Sequence, residues 1–445
     1  MSFFLTKVLA ALEDGGDRPL FIQNGTTTYH QARDRLRRLH GGLETTGTVA
    51  VDLRNRPETV LVQLAALLRG ATVLMVPASA PKQDRLAAAR GATVVTDRPG
   101  DWPGADTRTL DDLDGEPEPL DPPDTVHLLF PTGGTTGTPK LIRHSGIYDG
   151  MAHIFTPNPD GPGRTLLVAP MTHMTGNATV LGALLRRDTV VVHDGFDAGA
   201  VLGAIQEHRI DTLSLTPPRL AAVLDHPELE NTDLGSVRSL SLGAAPLPPH
   251  RLAQALAVFG PVVGQGYGLT EAPMIASISA AELIARPELL GSVGRIVPGM
   301  EARVEDGEVV VRGLSMMDGY RGGPDVGAGW LRTGDLGRFD DDGYLYLLGR
   351  ADDVVVVGEH GTKVATTVVE HALETHPAVR SAAVFGHGDR LHAVVVAEGD
   401  VTEDDVKAHA RTIFGQDHYV PAKVGFADAL PLTEVGKVDK RALSS

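Results

Sequence analysis

Residues 48 to 97 alternate short apolar runs with amphipathic stretches: TVAVDLR, PETVLVQLAALLRG, TVLMVPA, PKQDRLAAARG and TVVTD. Short apolar runs rich in β-branched residues, separated by segments of helical period, predict parallel strands joined by crossover helices. Residues 98–124 are rich in Pro, Asp and Gly without clear periodicity and read as a surface connection. The alternation resumes with TLLVAP, ATVLGALLRR, TVVVHD, AGAVLGAIQEHR, TLSLTP and RLAAVLDHPEL, so two α/β halves are expected to form one large layered body. Near Pro298 the period changes to two, in MEARVEDGEVVVRG and DDGYLYLLGR, predicting a small antiparallel, barrel-like sheet. Beyond Arg350 a strand, a helix over 366–375, two strands and a second helix, EDDVKAHARTIF, suggest a separate α+β unit. The domain boundary is placed at 351/352, giving units 1–351 and 352–445.

Composition narrows the function. The 445 residues carry a net charge of −17, and 42% are hydrophobic. That charge repels nucleic acid and anionic membranes, so neither is an expected partner. No apolar stretch approaches the roughly 20 residues needed to cross a bilayer, and the opening MSFFLTKVLAALEDGG lacks the basic start and cleavage site of a secretory leader. A cytoplasmic location is the expectation. There is no cysteine, which excludes disulfides, thiolate metal sites and a cysteine nucleophile. Only eight residues are lysines, so a lysine inside a motif carries weight.

The densest chemical signal is HLLFPTGGTTGTPKLIRHS at 127–145, a strand running into a loop of Gly and Thr with one lysine. Glycines there let backbone N–H groups converge on phosphate oxygens, and Thr132, Thr135, Thr136 and Thr138 add hydroxyl donors. Lys140 follows a proline and precedes Leu141, which excludes the Walker A pattern.

PTGGTTGTPK resembles the signature loop of the adenylate-forming (ANL) superfamily of acyl-CoA synthetases, adenylation domains and luciferases. Four further segments resemble that family's motifs in order: SLGAAPLPP (241–249), GQGYGLTEA (264–272), WLRTGDLGRFDDDGYLYLLGRADD (330–353) and LPLTEVGKVDKRAL (430–443). The resemblance spans nearly the whole chain. It implies an N-terminal AMP-binding body with a mobile C-terminal cap, and ATP, Mg²⁺ and, as co-substrate, CoA.

Residue by residue, the resemblance assigns phosphate contacts to Thr132, Gly133, Gly134, Thr135, Thr136, Gly137, Lys140 and Thr270. It assigns the adenine side to Gly243, Ala244, Ala245, Tyr267 and Gly268, the metal to Glu271, and ribose and phosphate contacts to Asp335 and Arg350. Asp352 matches the hinge. Lys437 matches the mobile catalytic lysine, which offsets the repulsion of about 4 kcal/mol per pair of like unit charges at ~4 Å. His173, with Gly176, Asn177, Gly243 and Gly266, is placed at the acyl pocket.

Amino-acid-activating relatives hold the substrate ammonium with an Asp in this segment, and residues 171–185 contain no acid. Asp197 reads as a helix N-cap. The segment VVVVGEHGTKVATTVVE, which borders the thiol tunnel in the family, departs from the pattern of relatives that use CoA, with Val368 in place of the usual glutamate. The leading expectation is an aryl or medium-acyl carboxylic acid:CoA ligase working through acyl-AMP. The alternatives are transfer to a carrier-protein thiol or an amine, ATP-dependent activation of nitrite to diazotise an arylamine, and a non-catalytic nucleotide-binding relative.

Overall fold

In a computed structural model, the described residues are 1–131, 140–358 and 361–443. The first α/β half forms a seven-stranded sheet in the order Gly319–Tyr320, Leu141–His144, His127–Pro131, Thr72–Met75, Thr48–Asp52, Thr93–Thr96, Asp106–Arg108. Its central strands run parallel, Val49 facing Val73 on one side and Thr93 on the other. The second half forms a nine-stranded sheet. Parallel strands Pro19–Ile22, Thr189–Val192, Arg164–Leu167, Thr212–Leu215 and Ser239–Leu242 lead to an antiparallel hairpin, Val263–Leu269 with Ala272–Ile278.

One apolar cluster joins the sheets: Val49, Val51 and Val73 from one, Phe21, Leu167 and Val190 from the other, with the helices Phe3–Gly15, Tyr29–Gly42, Pro57–Leu68 and Met174–Arg186 between them. The helix Pro57–Leu68 is buried at every position from Thr59 to Leu68, which explains its near-continuous apolar run. A four-stranded antiparallel sheet follows, Met300–Glu305, Glu308–Gly313, Leu331–Phe339 and Leu345–Arg350, as the period-two pattern predicts.

The C-terminal unit has its own core, with Val364, Val369, Leu373, Val384, Val395 and Val406 fully buried. Val379–His387, Arg390–Ala397 and Lys423–Phe426 make a three-stranded sheet, and Val354–Val357 pairs with Thr362–Ala365 in a second ribbon. The helix Glu403–Phe414 matches its predicted span, closed by a Thr402/Asp405 capping box and the left-handed Gly415. The strands Thr362–Ala365 and Lys423–Phe426 escape a reading by periodicity because each is only four residues long, and the second also pairs with a strand some thirty residues earlier, His392 facing Lys423.

The segment 98–124 is more than a surface connection. Asp106–Arg108 adds a parallel edge strand, and Trp102 is buried, its Nε1–H donating to Asp52 at 2.8 Å. Asp52 is itself sealed and also accepts from Arg98 at 2.8 Å and Thr96 at 2.8 Å. This buried carboxylate pins a stretch whose composition looks unstructured. Among the described residues, no helix is long and apolar enough to cross a membrane.

Candidate active site

The hairpin of the nine-stranded sheet turns at Thr270 and Glu271. Its first strand carries Tyr267, next to Gly268, where the two strands' backbones approach closely. A Cβ at Gly268 would stand 2.2 Å from the Pro273 carbonyl oxygen. The Tyr267 ring is buried, and its hydroxyl donates to Asp335 Oδ2 at 2.6 Å.

Asp335 and Arg350 sit directly opposite each other on paired strands. The Arg350 Nη1 donates to Asp335 Oδ1 at 3.1 Å and to the Thr333 carbonyl at 3.0 Å. Gly334, at φ +74°, makes room: a Cβ there would lie 2.7 Å from Arg350 Nη2. Burial pushes the Asp335 carboxyl up from its ordinary range, while the Tyr267 hydroxyl and Arg350 oppose the rise. Beside this pair runs the segment 243–245. A Cβ at Gly243 would stand 2.7 Å from the Gly266 carbonyl oxygen, and Ala244 is held at φ +68°, a left-handed backbone costing about 1–2 kcal/mol for a residue with a Cβ.

Glu271 Oε1 accepts from the Tyr320 hydroxyl at 3.2 Å, and the Lys140 ammonium lies 5.2 Å from the centre of the same tyrosine ring. Among the described residues, no arginine or lysine is within ion-pair distance of Glu271. His144, fully buried, faces the Thr270 carbonyl with Nε2 at 2.7 Å, so Nε2 carries the proton and fixes the turn that presents Glu271. Thr132, Gly133, Gly134, Thr135, Thr136 and Gly137 lie outside the described residues.

Lys437 reaches this cluster from the C-terminal unit. Its loop closes on itself: Thr433 N donates to the Lys437 carbonyl at 2.8 Å, Gly436 N to the Thr433 carbonyl at 2.8 Å, and Leu432 bridges Val438. The Lys437 side chain keeps exposed surface yet stands among protein atoms in a cleft. That crowding lowers its pKa, opposed by the attraction of Asp335 and assisted by the repulsion of Arg350, with Glu271 also attracting. The ammonium therefore feels the carboxylates of Asp335 and Glu271 and the guanidinium of Arg350, and it has no ion pair of its own among the described residues.

Residues 78–321 match the AMP-binding enzyme family, and residues 368–437 match the AMP-binding enzyme C-terminal domain. The chain belongs to the AMP-binding enzyme family. It is an ATP-dependent, adenylate-forming ligase of the ANL superfamily. The chain is 35% identical to the medium/long-chain-fatty-acid–CoA ligase FadD8 of Mycobacterium tuberculosis, over 74% of this chain and 63% of that protein, so it spans less than two thirds of that relative. It is 32% identical to a feruloyl-CoA synthase of Amycolatopsis sp over 94% of each. The solved structure of the amide bond synthetase McbA from Marinactinospora thermotolerans superposes with a TM-score of 0.85 at 28% identity, covering 99% of both chains.

In this AMP-binding enzyme the pocket residues divide. His173 is the N-cap of the helix Met174–Arg186 and leaves that helix uncapped by its side chain. Its ring faces Glu434 Oε2 at 3.8 Å, within ion-pair reach and beyond hydrogen-bond distance. Gly176 serves close packing, since a Cβ would meet the Pro170 carbonyl at 2.1 Å. Asn177 is fully buried and drawn into an amide pair with Gln63, its Nδ2 donating at 2.6 Å, with the Tyr148 hydroxyl 3.4 Å from its Oδ1. Both residues are thus held by protein contacts, Gly176 against the Pro170 backbone and Asn177 against Gln63. Asp197 caps its helix by accepting from Ala200 N at 2.7 Å, as expected.

Several residues of the site escape a motif reading. Tyr320 and His144 act through contacts set by folding. Arg219 left a signal: it shares the apolar stripe of its helix with Leu220, Val223 and Leu224, and it is buried in the structure. A charge on a buried stripe calls for a partner.

Proposed function

We propose that this enzyme activates a small carboxylic acid, aryl or medium acyl, and passes the acyl group to CoA. A carboxylate oxygen attacks the α-phosphorus of ATP in line, the bond from that phosphorus to the bridging oxygen breaks, and pyrophosphate leaves with the electron pair. The CoA sulfur then attacks the acyl carbon of the acyl-AMP, the thiol proton passes to solvent, and AMP departs. The carrying observation is the seat of Lys437, inserted from the C-terminal unit into the field of Asp335, Arg350 and Glu271.

Residue roles follow from that seat. Lys437 neutralises the approach of two anions and holds the developing charge, a positioning and electrostatic contribution. Asp335, with two oxygens each already fixed by one donor, accepts the ribose hydroxyls, and Arg350 favours its charged form. Tyr267 lines the adenine side with Gly243, Ala244, Ala245 and Gly268. Thr270, Lys140 and the glycine-rich segment take the phosphates. Glu271 fits a hard divalent cation, being a carboxylate with no basic side chain within ion-pair reach among the described residues, and Mg²⁺ held there would offset triphosphate charge. His173 stands at the acyl-pocket entrance with Gly266. The C-terminal unit, residues 352–445, turns about Asp352 between the half-reactions.

The feruloyl-CoA synthase supports an aryl acid, and the CoA ligases among the relatives support CoA. A second reading, transfer to an amine, is favoured by the likeness to an amide bond synthetase over 99% of both chains. The test is to incubate enzyme and ATP with panels of aryl and medium-chain acids, and separately with nitrite and arylamines, reading AMP and pyrophosphate. Productive acids are then offered CoA, amines or a phosphopantetheinyl carrier protein. AMP with an acyl-CoA thioester is expected. ADP and phosphate would end the adenylation reading; amide without thioester would replace CoA by an amine.

A further inference from the structure

The lysine loop is held to the N-terminal body by contacts that no motif contains. The Arg219 Nη2 donates to the Glu434 carbonyl at 2.7 Å, and the Thr216 hydroxyl donates to the Gly436 carbonyl at 3.0 Å. Glu434 then points its carboxylate between the two sheets of the body. Oε2 accepts from Ser79 N at 3.1 Å, in the loop after the strand Thr72–Met75 of the seven-stranded sheet. The same oxygen lies 3.8 Å from His173 Nε2, on the nine-stranded side. That Nε2 is sealed from solvent and has no hydrogen-bond partner among the described residues. Burial would push the Glu434 carboxyl up, yet the His173 ring and the Ser79 amide outweigh it and hold it down to about 2.

We propose that Glu434 is a positioning residue that ties seating of the lysine loop to the place of His173, so that the acyl-pocket entrance is set only while Lys437 is inserted. The inference rests on the adenylation role of Lys437 given above. One carboxylate accepts from a loop amide beside one sheet and faces a helix N-cap side chain beside the other, so it is satisfied only when the C-terminal unit is docked and the body is in register. Withdrawal of the loop removes the anion facing His173 and frees that ring for the second half-reaction. Arg219 loses a carbonyl acceptor at the same moment, which biases the empty body toward taking the loop back.

The test compares Glu434→Ala, Glu434→Gln, Lys437→Ala and the wild-type enzyme in both half-reactions, using an acid found productive above. With Glu434→Ala, acid-dependent pyrophosphate exchange at saturating ATP is expected to fall about 10- to 100-fold, the range of a lost charge-assisted contact. ATP affinity and acyl transfer from supplied acyl-adenylate are expected to stay within about twofold. Glu434→Gln keeps an acceptor for Ser79 N and is expected to recover part of the exchange rate. Adding His173→Ala to Glu434→Ala is expected to cost little more than the larger single change. Equal losses in both half-reactions, unchanged exchange in Glu434→Ala, or losses that multiply in the double variant would each overturn the proposal. Exchange retained in Lys437→Ala would instead remove the adenylation role of the lysine, whatever Glu434 does.

Discussion

Thr216 occupies the N-cap of the helix Pro217–Leu224 yet gives its hydroxyl to the Gly436 carbonyl, 3.0 Å away, instead of capping its own helix. A capping hydroxyl contributes about 1 kcal/mol to a helix. Here it is directed to a loop more than two hundred residues along the chain. Gly436 stands at φ +77°, and a Cβ on it would lie 2.7 Å from both Thr216 Oγ1 and Arg219 Nε. Gly436→Ala therefore adds a strained backbone and a collision with buried groups, and pushes Lys437 out of its seat. Adenylation, measured as pyrophosphate exchange, is expected to drop about 100-fold or more, with the unfolding midpoint of the C-terminal unit unchanged because its core is remote.

The second prediction concerns Tyr267. Its hydroxyl is one of the donors that oppose the rise burial imposes on the Asp335 carboxyl. Tyr267→Phe retains the ring and removes the donor, so the Asp335 carboxyl rises further. ATP affinity, by calorimetry, is expected to weaken about 10-fold at neutral pH, the cost of one charge-assisted hydrogen bond. The loss is expected to deepen as pH falls, because protonated Asp335 can no longer accept from both ribose hydroxyls. A pH-independent loss would separate Tyr267 from Asp335.

Asp352 lies 3.3 Å from Nε of Arg350, the residue paired with Asp335. As the proposed hinge it must change its backbone angles between half-reactions. Asp352→Pro fixes φ near −65°. Rapid-quench measurement is expected to show acyl transfer slowed about 10-fold more than adenylate formation. Equal slowing of both steps would count against a hinge at this position.

Glu374, in the C-terminal unit, supplies the fourth prediction. Oε1 accepts from Ala382 N at 2.9 Å, but Oε2 is sealed from solvent with no partner among the described residues. Burial raises its pKa to about 8, against the Ala382 amide, with the Glu370 charge adding to the rise. A raised folded pKa means that stability is fully present below the unfolded value of 4.5 and is lost as pH climbs through about 8. Glu374→Gln keeps the acceptor without the charge. Chemical unfolding of the full chain across pH 4.5 to 8 is expected to show the variant gaining steadily on the wild type and levelling off above that range. A constant difference across the range would mean that Glu374 does not titrate as its surroundings dictate.

The parallel strands of residues 48 to 97, the antiparallel sheet after Pro298 and the helix Glu403–Phe414 are legible in the sequence because local periodicity records which face each element buries. Asp335, Arg350, Glu271 and Lys437 are legible because motifs keep chemical groups at set offsets within one segment. Gly176 and Asn177 looked like pocket space for the same reason that small residues always do: packing against Pro170 and pairing with Gln63 depend on chain that is distant in sequence. Residues 98–124 read as a connection because one buried carboxylate, Asp52, organises them from outside the segment.

The sequence by itself determined the family, the layered α/β architecture and the charged groups proposed to meet a nucleotide, since each is written in contiguous residues. Only the tertiary structure decided that Tyr267 and Arg350 share Asp335, that Glu434 spans Ser79 and His173, and that Arg219 and Thr216 receive the lysine loop. Those relationships join residues tens to hundreds of positions apart. Their strength comes from excluding water around paired charges, and no local pattern of side chains records where water will be excluded.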